Sequence, residues 1–325
     1  MGRRRHYRRR HDAGLPADGV RPAPAFLSAA IAAAFRKSLL RRFILALCVL
    51  ALVFAAMVAL RTPRTDREWE PALSRAPEFE SLGPDRWRIR NFRDFVFAAQ
   101  GPAQAKWRDD TIDASDLEEI WFFVEPFTYW DGAAHNFMSF VFGGETAATI
   151  SVSVEARKEK GENYSPLRGA MNAYELLYLW STEKDVMTRI AVGLGHDLYA
   201  YRLDLTREQA REVFQHFVER TNALKQRPRF YNTLTSNCTN ELTKAVNDAF
   251  PGALPWHYSN ILTGFSAAHL YELGFLAGGA DDFDALKARA EVGAAARSLA
   301  QEPEDDFSAA WRARLAEKRE PSPQE

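Results

Sequence analysis

Cys238 has the residue type and surroundings of a thiol nucleophile. The chain of 325 residues has only one other cysteine, Cys48, which lies within a long apolar run, so we expect no disulfide between them. Thr235, Ser236 and Asn237 precede Cys238, and their side chains favour the N-cap of a helix. Unpaired N–H groups and the helix dipole there stabilise a thiolate and lower the thiol pKa from about 8.5. We therefore predict that Cys238 attacks a carbonyl carbon.

A thiol nucleophile needs a base that is close in space but not in sequence. We predict that this base is His135, which begins a strand directly after the Gly132-Ala133-Ala134 turn. His257 in the loop PWHYSN is its strongest competitor. The other histidines that follow the long apolar run are His196, His216 and His269. A buried Cys238 with a purely structural role remains the alternative. A zinc site is not predicted, because there is no second thiol at ligand spacing.

A third polar group usually orients the catalytic imidazole. In the run ISVSVEAR, strand alternation places Ser151, Ser153, Glu155 and Arg157 on one face. We predict Glu155 as the orienting residue; the alternative is that it pairs with a basic neighbour at a solvated strand end. Asn237 is a candidate oxyanion donor, although an N-cap role accounts for it equally well.

Residues 43–60, Phe43 to Leu60, form an uncharged apolar stretch long enough to cross most of a hydrocarbon layer of ~30 Å. Basic residues precede it: Arg3, Arg4, Arg5, Arg8, Arg9, Arg10, Arg36, Lys37, Arg41 and Arg42. This charge bias predicts a cytoplasmic tail over residues 1–42 and export of everything after Arg61. We expect a single-pass anchor in a bacterial inner membrane, with a cleaved signal peptide as the alternative.

The exported part divides into three predicted regions: a linker over residues 61–84, a domain over 85–280 and a charged, partly helical or disordered tail over 281–325. Runs rich in aromatic and β-branched residues predict strands: RWRIRNF, EEIWFFVEPF, HNFMSFVF, ATISVSVEAR and HDLYAYRLDL. Apolar periodicity predicts helices from Arg207 to Leu224 and from Thr239 to Phe250. The order predicts an α+β domain with an antiparallel sheet and packed helices.

Composition excludes other classes of function. Basic and acidic residues nearly balance, 42 against 43, and no central segment interleaves basic and aromatic residues, so we expect no nucleic-acid partner. There is no glycine-rich phosphate loop of recognised spacing, and we predict neither a cofactor nor a metal.

Four segments resemble the Lnb-type N-terminal periplasmic domain family: HNFMSFVF, ISVSVEARKEKGENYSPLRG, YELLYLW and RPRFYNTLTSNCTNEL. The similarity extends from about Arg88 to Gly274. That family in turn resembles the circularly permuted papain-like thiol enzymes, such as lecithin retinol acyltransferase, in which the histidine strand precedes the cysteine helix. The resemblance implies a permuted papain-like fold, a Cys238–His135 pair and an acyl group passing through a thioester.

The family's namesake transfers a fatty acyl chain within lipoproteins. The resemblance therefore implies a membrane-anchored periplasmic acyltransferase or hydrolase acting on a membrane lipid or lipoprotein. Two alternatives remain: an amidase acting on cell-wall peptide, and a non-catalytic envelope scaffold in which Cys238 is structural.

Overall fold

The computed structural model describes residues 25–99, 101–127, 130–144, 147–279, 282–302 and 306–318, with side chains from residue 34 onward. The chain divides into two units, Met1–Leu60 and Arg61–Glu325. The basic residues from Arg3 to Arg10, which contribute to the predicted membrane orientation, lie outside the described residues.

The first unit contains one long helix, α1 (Ala25–Ala59). Its stretch Ala34–Ala59 has a mean hydropathy of 2.6, and none of its most apolar window is buried against protein. By length and composition this helix is able to cross a membrane, as the run from Phe43 to Leu60 predicts.

The second unit is organised around a sheet of nine strands, with a separate two-stranded ribbon. The strands are β1 (Glu78–Gly83), β2 (Arg86–Arg93), β3 (Val96–Ala98), β4 (Gly101–Gln104), β5 (Trp107–Asp113), β6 (Leu117–Pro126), β7 (Ala134–Phe142), β8 (Ala148–Arg157), β9 (Tyr174–Thr182), β10 (Tyr199–Arg202) and β11 (Phe230–Tyr231). The order is β1-β2-β9-β8-β7-β6-β10, with β5 also beside β2 and β11 beside β9. Neighbours are antiparallel except β2 and β9.

The remaining helices are α2 (Pro166–Ala170), α3 (Glu183–Thr188), α4 (Arg207–Gln226), α5 (Cys238–Ala249), α6 (Ser266–Glu272), α7 (Phe283–Arg289), α8 (Gly293–Leu299) and α9 (Phe307–Glu317). A π-helical turn, Arg189–Leu194, continues α3. The α+β prediction is confirmed, and the two helices predicted by periodicity are α4 and α5, within two residues at each end.

Both faces of the central sheet are covered, which explains why its strands are so apolar. On one face Phe140 stacks on Trp180, and both rings meet Phe214 of α4. On the other face Phe123 stacks on Phe137 and packs against Trp311 of α9. The central strands therefore lie between two helical layers.

The domain is longer at both ends than the sequence predicted. The segment predicted as a linker contributes Leu73, which is buried against Leu177 and Leu179, and β1 pairs with β2. The segment predicted as a charged tail contributes buried side chains to the second core face: Val292, Ala296, Leu299, Phe307, Trp311 and Leu315. Charged residues lie between these apolar positions in the sequence, so the buried apolar stripe, spaced three to four residues apart, was not recognised.

Replacing Trp311 with alanine should destabilise the domain by about 3–5 kcal/mol, since a fully buried ring would leave a cavity. Its indole N–H also donates to Glu183 Oε2 at 2.9 Å, so the substitution removes a hydrogen bond from a buried carboxylate. Urea unfolding measures the loss. Trp256→Ala is the matched control, because that ring is 76% exposed and its removal should change stability by less than about 0.5 kcal/mol. Equal effects of the two substitutions would show that the C-terminal helices are not part of the core.

Candidate active site

The site lies where β7 begins. Pairing of β7 with β8 starts at Phe137 and Ser153, whereas pairing with β6 starts earlier, at Ala134. In the described sheet, residues 134–136 of β7 therefore pair with β6 on one side and have no β8 partner on the other. The backbone N–H of Asn136 is left for Cys238, to whose sulfur it donates.

Capping fixes Cys238 at the first position of α5. The Asn237 side chain accepts the N–H of Asn240 at 2.8 Å, and the Cys238 side chain is buried. The side-chain amide of Asn136, itself fully buried, donates to Thr239 Oγ1 at 2.7 Å. The start of the helix and the start of the strand are thus joined directly.

A chain of hydrogen bonds orients the ring of His135. Ser153 Oγ donates to Glu155 Oε1 at 2.7 Å and lies 2.7 Å from His135 Nε2. Because the hydroxyl has one hydrogen and gives it to the carboxylate, it must accept the N–H of Nε2. The Nδ1 atom is then left for the sulfur of Cys238, which lies within hydrogen-bonding reach of the ring.

The charges of this group support an ion pair. Burial alone lowers the pKa of His135, but the negative charge of Glu155 and the contact with Cys238 outweigh burial and raise it to about 9. Burial raises the pKa of the Cys238 thiol, yet its hydrogen bond to His135 and the charge of that ring bring it below the ordinary value. Burial also raises the pKa of Glu155, but His135 and then Arg189 hold it at about 2. At neutral pH the favoured forms of His135 and Glu155 are an imidazolium and a carboxylate, and the pKa shift of Cys238 is toward the thiolate.

A second contact holds the first residues of β7. Thr263 Oγ1 accepts the N–H of Ala134 at 3.1 Å and donates to the carbonyl of the same residue. Beside it, a Cβ atom on Gly264 would meet the carbonyl oxygen of Asp131 at 1.7 Å, so only glycine fits there. This close crossing of two backbones fixes the chain just before His135.

Three of the predicted residues, Cys238, His135 and Glu155, are brought together by the structure. Asn237 also lies at the site, but its side-chain N–H groups are donated to the carbonyls of Thr233 and Asn260, at 2.9 and 2.7 Å. It therefore has no side-chain donor left for an oxyanion, and its alternative role as the N-cap accounts for it. The donors suited to an oxyanion are the backbone N–H groups at the start of α5, which have no acceptor within the helix.

The other histidines have different surroundings. His257 caps a short helical turn through Ser259 and stacks on His269 at 3.8 Å, and neither ring lines the cleft at Cys238. These two rings and Glu272 place possible metal ligands within 4.8 Å of one another. Because the rings are nearly parallel, at 10°, their lone pairs lie side by side and do not converge on a common point. We assign no metal to this group.

Cys238 and His135 line a cleft of about 440 Å³. Much of its wall is apolar: Phe127, Trp130, Val154, Leu194, Ile261 and Leu262. Polar groups are also present, including Glu125, whose Oε1 accepts a hydrogen bond from His196 Nδ1 at 2.7 Å. Cys238 and His135 therefore lie on the wall of a cleft whose lining is largely apolar.

Comparison with protein families gives one match, the Lnb N-terminal periplasmic domain, over residues 103–264. Residues 103–264 of this chain belong to that family. The match includes His135, Ser153, Glu155 and Cys238, so the whole group lies within the Lnb domain. Searches of curated proteins and of solved structures found no match. The chain thus combines a periplasmic Lnb domain with an apolar N-terminal helix of membrane-spanning length.

Ser153 is the member of the group that sequence reasoning missed. Strand alternation places it on the same face as Glu155, but alternation does not show that the hydroxyl lies between the carboxylate and the ring. At 3.6 Å from His135 Nε2, the Glu155 oxygen is too far for a good direct hydrogen bond.

Replacing Ser153 with alanine should reduce acylation of Cys238 about three- to tenfold, the equivalent of one hydrogen bond of roughly 1 kcal/mol. The charge of Glu155 stays, so the ion pair weakens but persists. Acylation by a nitrophenyl ester measures the change. Ser151→Ala is the control: this serine lies on the same strand face and bonds Ser139 at 2.7 Å, away from the imidazole. If the two variants behave alike, Ser153 does not connect His135 to Glu155.

Proposed function

We propose that this domain is a thiol acyltransferase or hydrolase that acts on an acyl bond of a membrane lipid or lipoprotein. The observation that carries the proposal is the Cys238–His135 pair, backed by Ser153 and Glu155, on the wall of an apolar cleft. The order of histidine strand and cysteine helix is that of the permuted papain-like enzymes and supports the same chemistry.

In the first half-reaction the Cys238 thiolate attacks the acyl carbonyl carbon and a C–S bond forms. The carbonyl oxygen becomes an oxyanion that the N–H groups at the start of α5 stabilise. His135 then gives its proton to the departing alcohol oxygen as the C–O bond breaks, which leaves a thioester. In the second half-reaction an amine or water attacks the thioester, His135 takes its proton, and the Cys238 thiolate departs.

A membrane anchor supports a lipid-borne substrate. Under this proposal α1 holds the domain at the bacterial inner membrane, with the basic N-terminus in the cytoplasm and the domain in the periplasm. The enzyme and its substrate then meet in two dimensions, and an acyl chain leaving the bilayer enters an apolar cleft.

The test is the formation of an acyl-enzyme. The detergent-solubilised full chain is incubated with p-nitrophenyl octanoate and its intact mass is measured. We expect one added octanoyl group, removed by neutral hydroxylamine as a thioester is. Cys48→Ser, the matched control, should be acylated like the wild type, whereas Cys238→Ser should form no thioester. A wild type without the adduct, or an adduct that persists in Cys238→Ser, would refute the proposal in favour of a scaffold role.

The bond class is tested by incubating the same protein with octanoyl lipids and with purified cell-wall peptides. We expect acyl-enzyme from the lipids and no cleavage of peptide amides. Amide cleavage that depends on Cys238, without acylation by lipids, would replace the lipid substrate with wall peptide.

A further inference from the structure

Arg189 is a cation on the wall of the catalytic cleft that the reaction described above does not use. It directly follows α3 and begins the π-helical turn, and it lines the same cleft as His135, Glu155 and Cys238. Within the described ranges its guanidinium has no hydrogen-bond acceptor and no carboxylate oxygen within 4.0 Å. None of the guanidinium nitrogens is fully buried without a partner, so these nitrogens are accessible from the open space of the cleft.

Other buried arginines of this domain have acceptors for their N–H groups, and Arg157 donates to the carbonyls of Leu73 and Ser74 at 2.9 and 2.7 Å. Arg93 forms a bidentate ion pair with Asp185, with a shortest distance of 2.6 Å, and Arg312 pairs with Glu183 at 2.7 Å. Such pairing is the usual condition for burying a charge, because an unpaired ion loses its hydration without compensation. An arginine left unpaired on a cleft wall therefore has its donors available to a ligand.

The carboxylates nearest to Arg189 are already engaged. Glu155 accepts a hydrogen bond from the Ser153 hydroxyl, and Glu125 accepts one from His196 Nδ1. Burial lowers the pKa of Arg189, but the negative charges of both carboxylates act on the guanidinium at longer range and raise that pKa against the effect of burial. Its planar array of N–H groups is suited to two oxygens of one anion, a geometry that phosphate and carboxylate offer.

We propose that Arg189 binds the phosphodiester of a glycerophospholipid acyl donor and thereby selects phosphate-bearing donors over uncharged glycerides. This inference rests on the proposed function, because it concerns the donor of the same acyl transfer. The apolar wall formed by Leu194, Ile261 and Leu262 favours a lipid over a wall peptide, whose carboxylates are carried on a polar chain. The acyl chain lies along that wall, the ester carbonyl at Cys238 and the phosphate at Arg189.

The experiment compares Arg189→Gln with the wild type on three octanoyl donors: dioctanoyl phosphatidylglycerol, dioctanoylglycerol and p-nitrophenyl octanoate. The wild type should prefer the phospholipid over the glyceride. Arg189→Gln should lose about ten- to a hundredfold in kcat/KM on the phospholipid, mostly through KM, as expected for a charged hydrogen bond of roughly 1.5–3 kcal/mol. Its rates on the two uncharged donors should fall far less than its rate on the phospholipid, because those donors have no phosphate for Arg189 to bind and Arg189 affects them only through the charge of Glu155.

Arg202→Gln is the matched control, since this arginine lies on β10 and bonds Glu119 at 3.4 Å, outside the residues lining the cleft. It should leave all three rates unchanged. Inorganic phosphate is added as a competitor: inhibition of the phospholipid reaction below the KM of the lipid would assign Arg189 to free phosphate and refute a lipid donor.

Two results separate this inference from the proposed function. If Arg189→Gln slows all three donors equally, Arg189 acts through Glu155 and His135, and the inference fails while thiol catalysis stands. The same holds if the wild type acylates Cys238 but shows no preference for the phospholipid. If no donor acylates the wild type, the proposed function and this inference fail together.

Discussion

Alkylation of Cys238 by iodoacetamide at pH 7 should fall by at least about a hundredfold when His135 is replaced by glutamine. The thiolate is the form that reacts, and in the wild type the hydrogen bond and charge of His135 oppose the cost of burying it. Glutamine supplies no positive charge. Burial then dominates and the pKa of Cys238 rises above its ordinary value, so that the thiol form prevails at neutral pH.

The pH profile gives the sign of this effect. In the wild type, the alkylation rate should rise with pH through a single step that lies below the ordinary thiol pKa. It should then stay high, because Cys238 remains a thiolate whether His135 is protonated or neutral. In His135→Gln that step should move to the alkaline side of the ordinary value. Adding alkali should therefore restore much of the lost rate, which a misfolded variant would not show.

His257→Gln is the control for this measurement, since His257 was the competing base and stacks on His269 outside the cleft. It should alkylate within about twofold of the wild type. A normal rate in His135→Gln with a reduced rate in His257→Gln would reassign the base. Thermal unfolding of both variants verifies that each is folded.

Sequence reasoning predicted Cys238, His135 and Glu155, which the structure places together, because each prediction depends on local features. N-cap residues before Cys238 placed it at a helix start, and alternation along β8 placed Glu155 on a defined face. Neither feature specifies which residues of neighbouring strands pair with each other. The missing β8 partner at the start of β7, which frees the Asn136 N–H for the sulfur, appears only when the whole sheet is assembled.

The residues that were missed depend on distances between segments far apart in the chain. Ser153 was on the predicted face, but its role as a bridge depends on distances: its hydroxyl lies 2.7 Å from both His135 Nε2 and Glu155 Oε1, whereas those two atoms are 3.6 Å apart. Arg189 lies after a short helix with no motif around it, and its significance is that it lacks an ion-pair partner within the described residues. The buried Trp311 was overlooked because the surrounding sequence is rich in charge, which describes the outer face of α9 alone.

Replacing Glu155 with glutamine should reduce acylation of Cys238 at pH 7 by about a hundredfold. This loss is smaller than the roughly 10⁴-fold found when the carboxylate of a serine-protease triad becomes an amide, because Ser153 separates Glu155 from the ring. The charge of Glu155 is the main cause that raises the pKa of His135 against burial. Without it, burial returns the ring toward its neutral form, and the ion pair shifts toward a neutral thiol and a neutral imidazole.

The pH dependence of kcat/KM distinguishes this electrostatic role from simple disorder at the site. Acyl transfer requires a thiolate and a protonated His135, so its profile is a bell with an alkaline limb near the His135 pKa of about 9. In Glu155→Gln the alkaline limb should move to lower pH, because the imidazolium loses its counter-charge. The acid limb should not move to higher pH, because on that side His135 is protonated in both proteins and still stabilises the thiolate. The bell therefore narrows from its alkaline side.

Glu208→Gln is the matched control, as this carboxylate is exposed at the start of α4 and should leave both limbs in place. Glu155→Asp adds a second test: it keeps the charge but shortens the side chain, so it should retain the width of the bell while losing rate. If Glu155→Gln lowers the rate without moving either limb, Glu155 holds the ring in position and does not set its charge. The thiolate would then owe its stability to the start of α5 and to the Asn136 N–H.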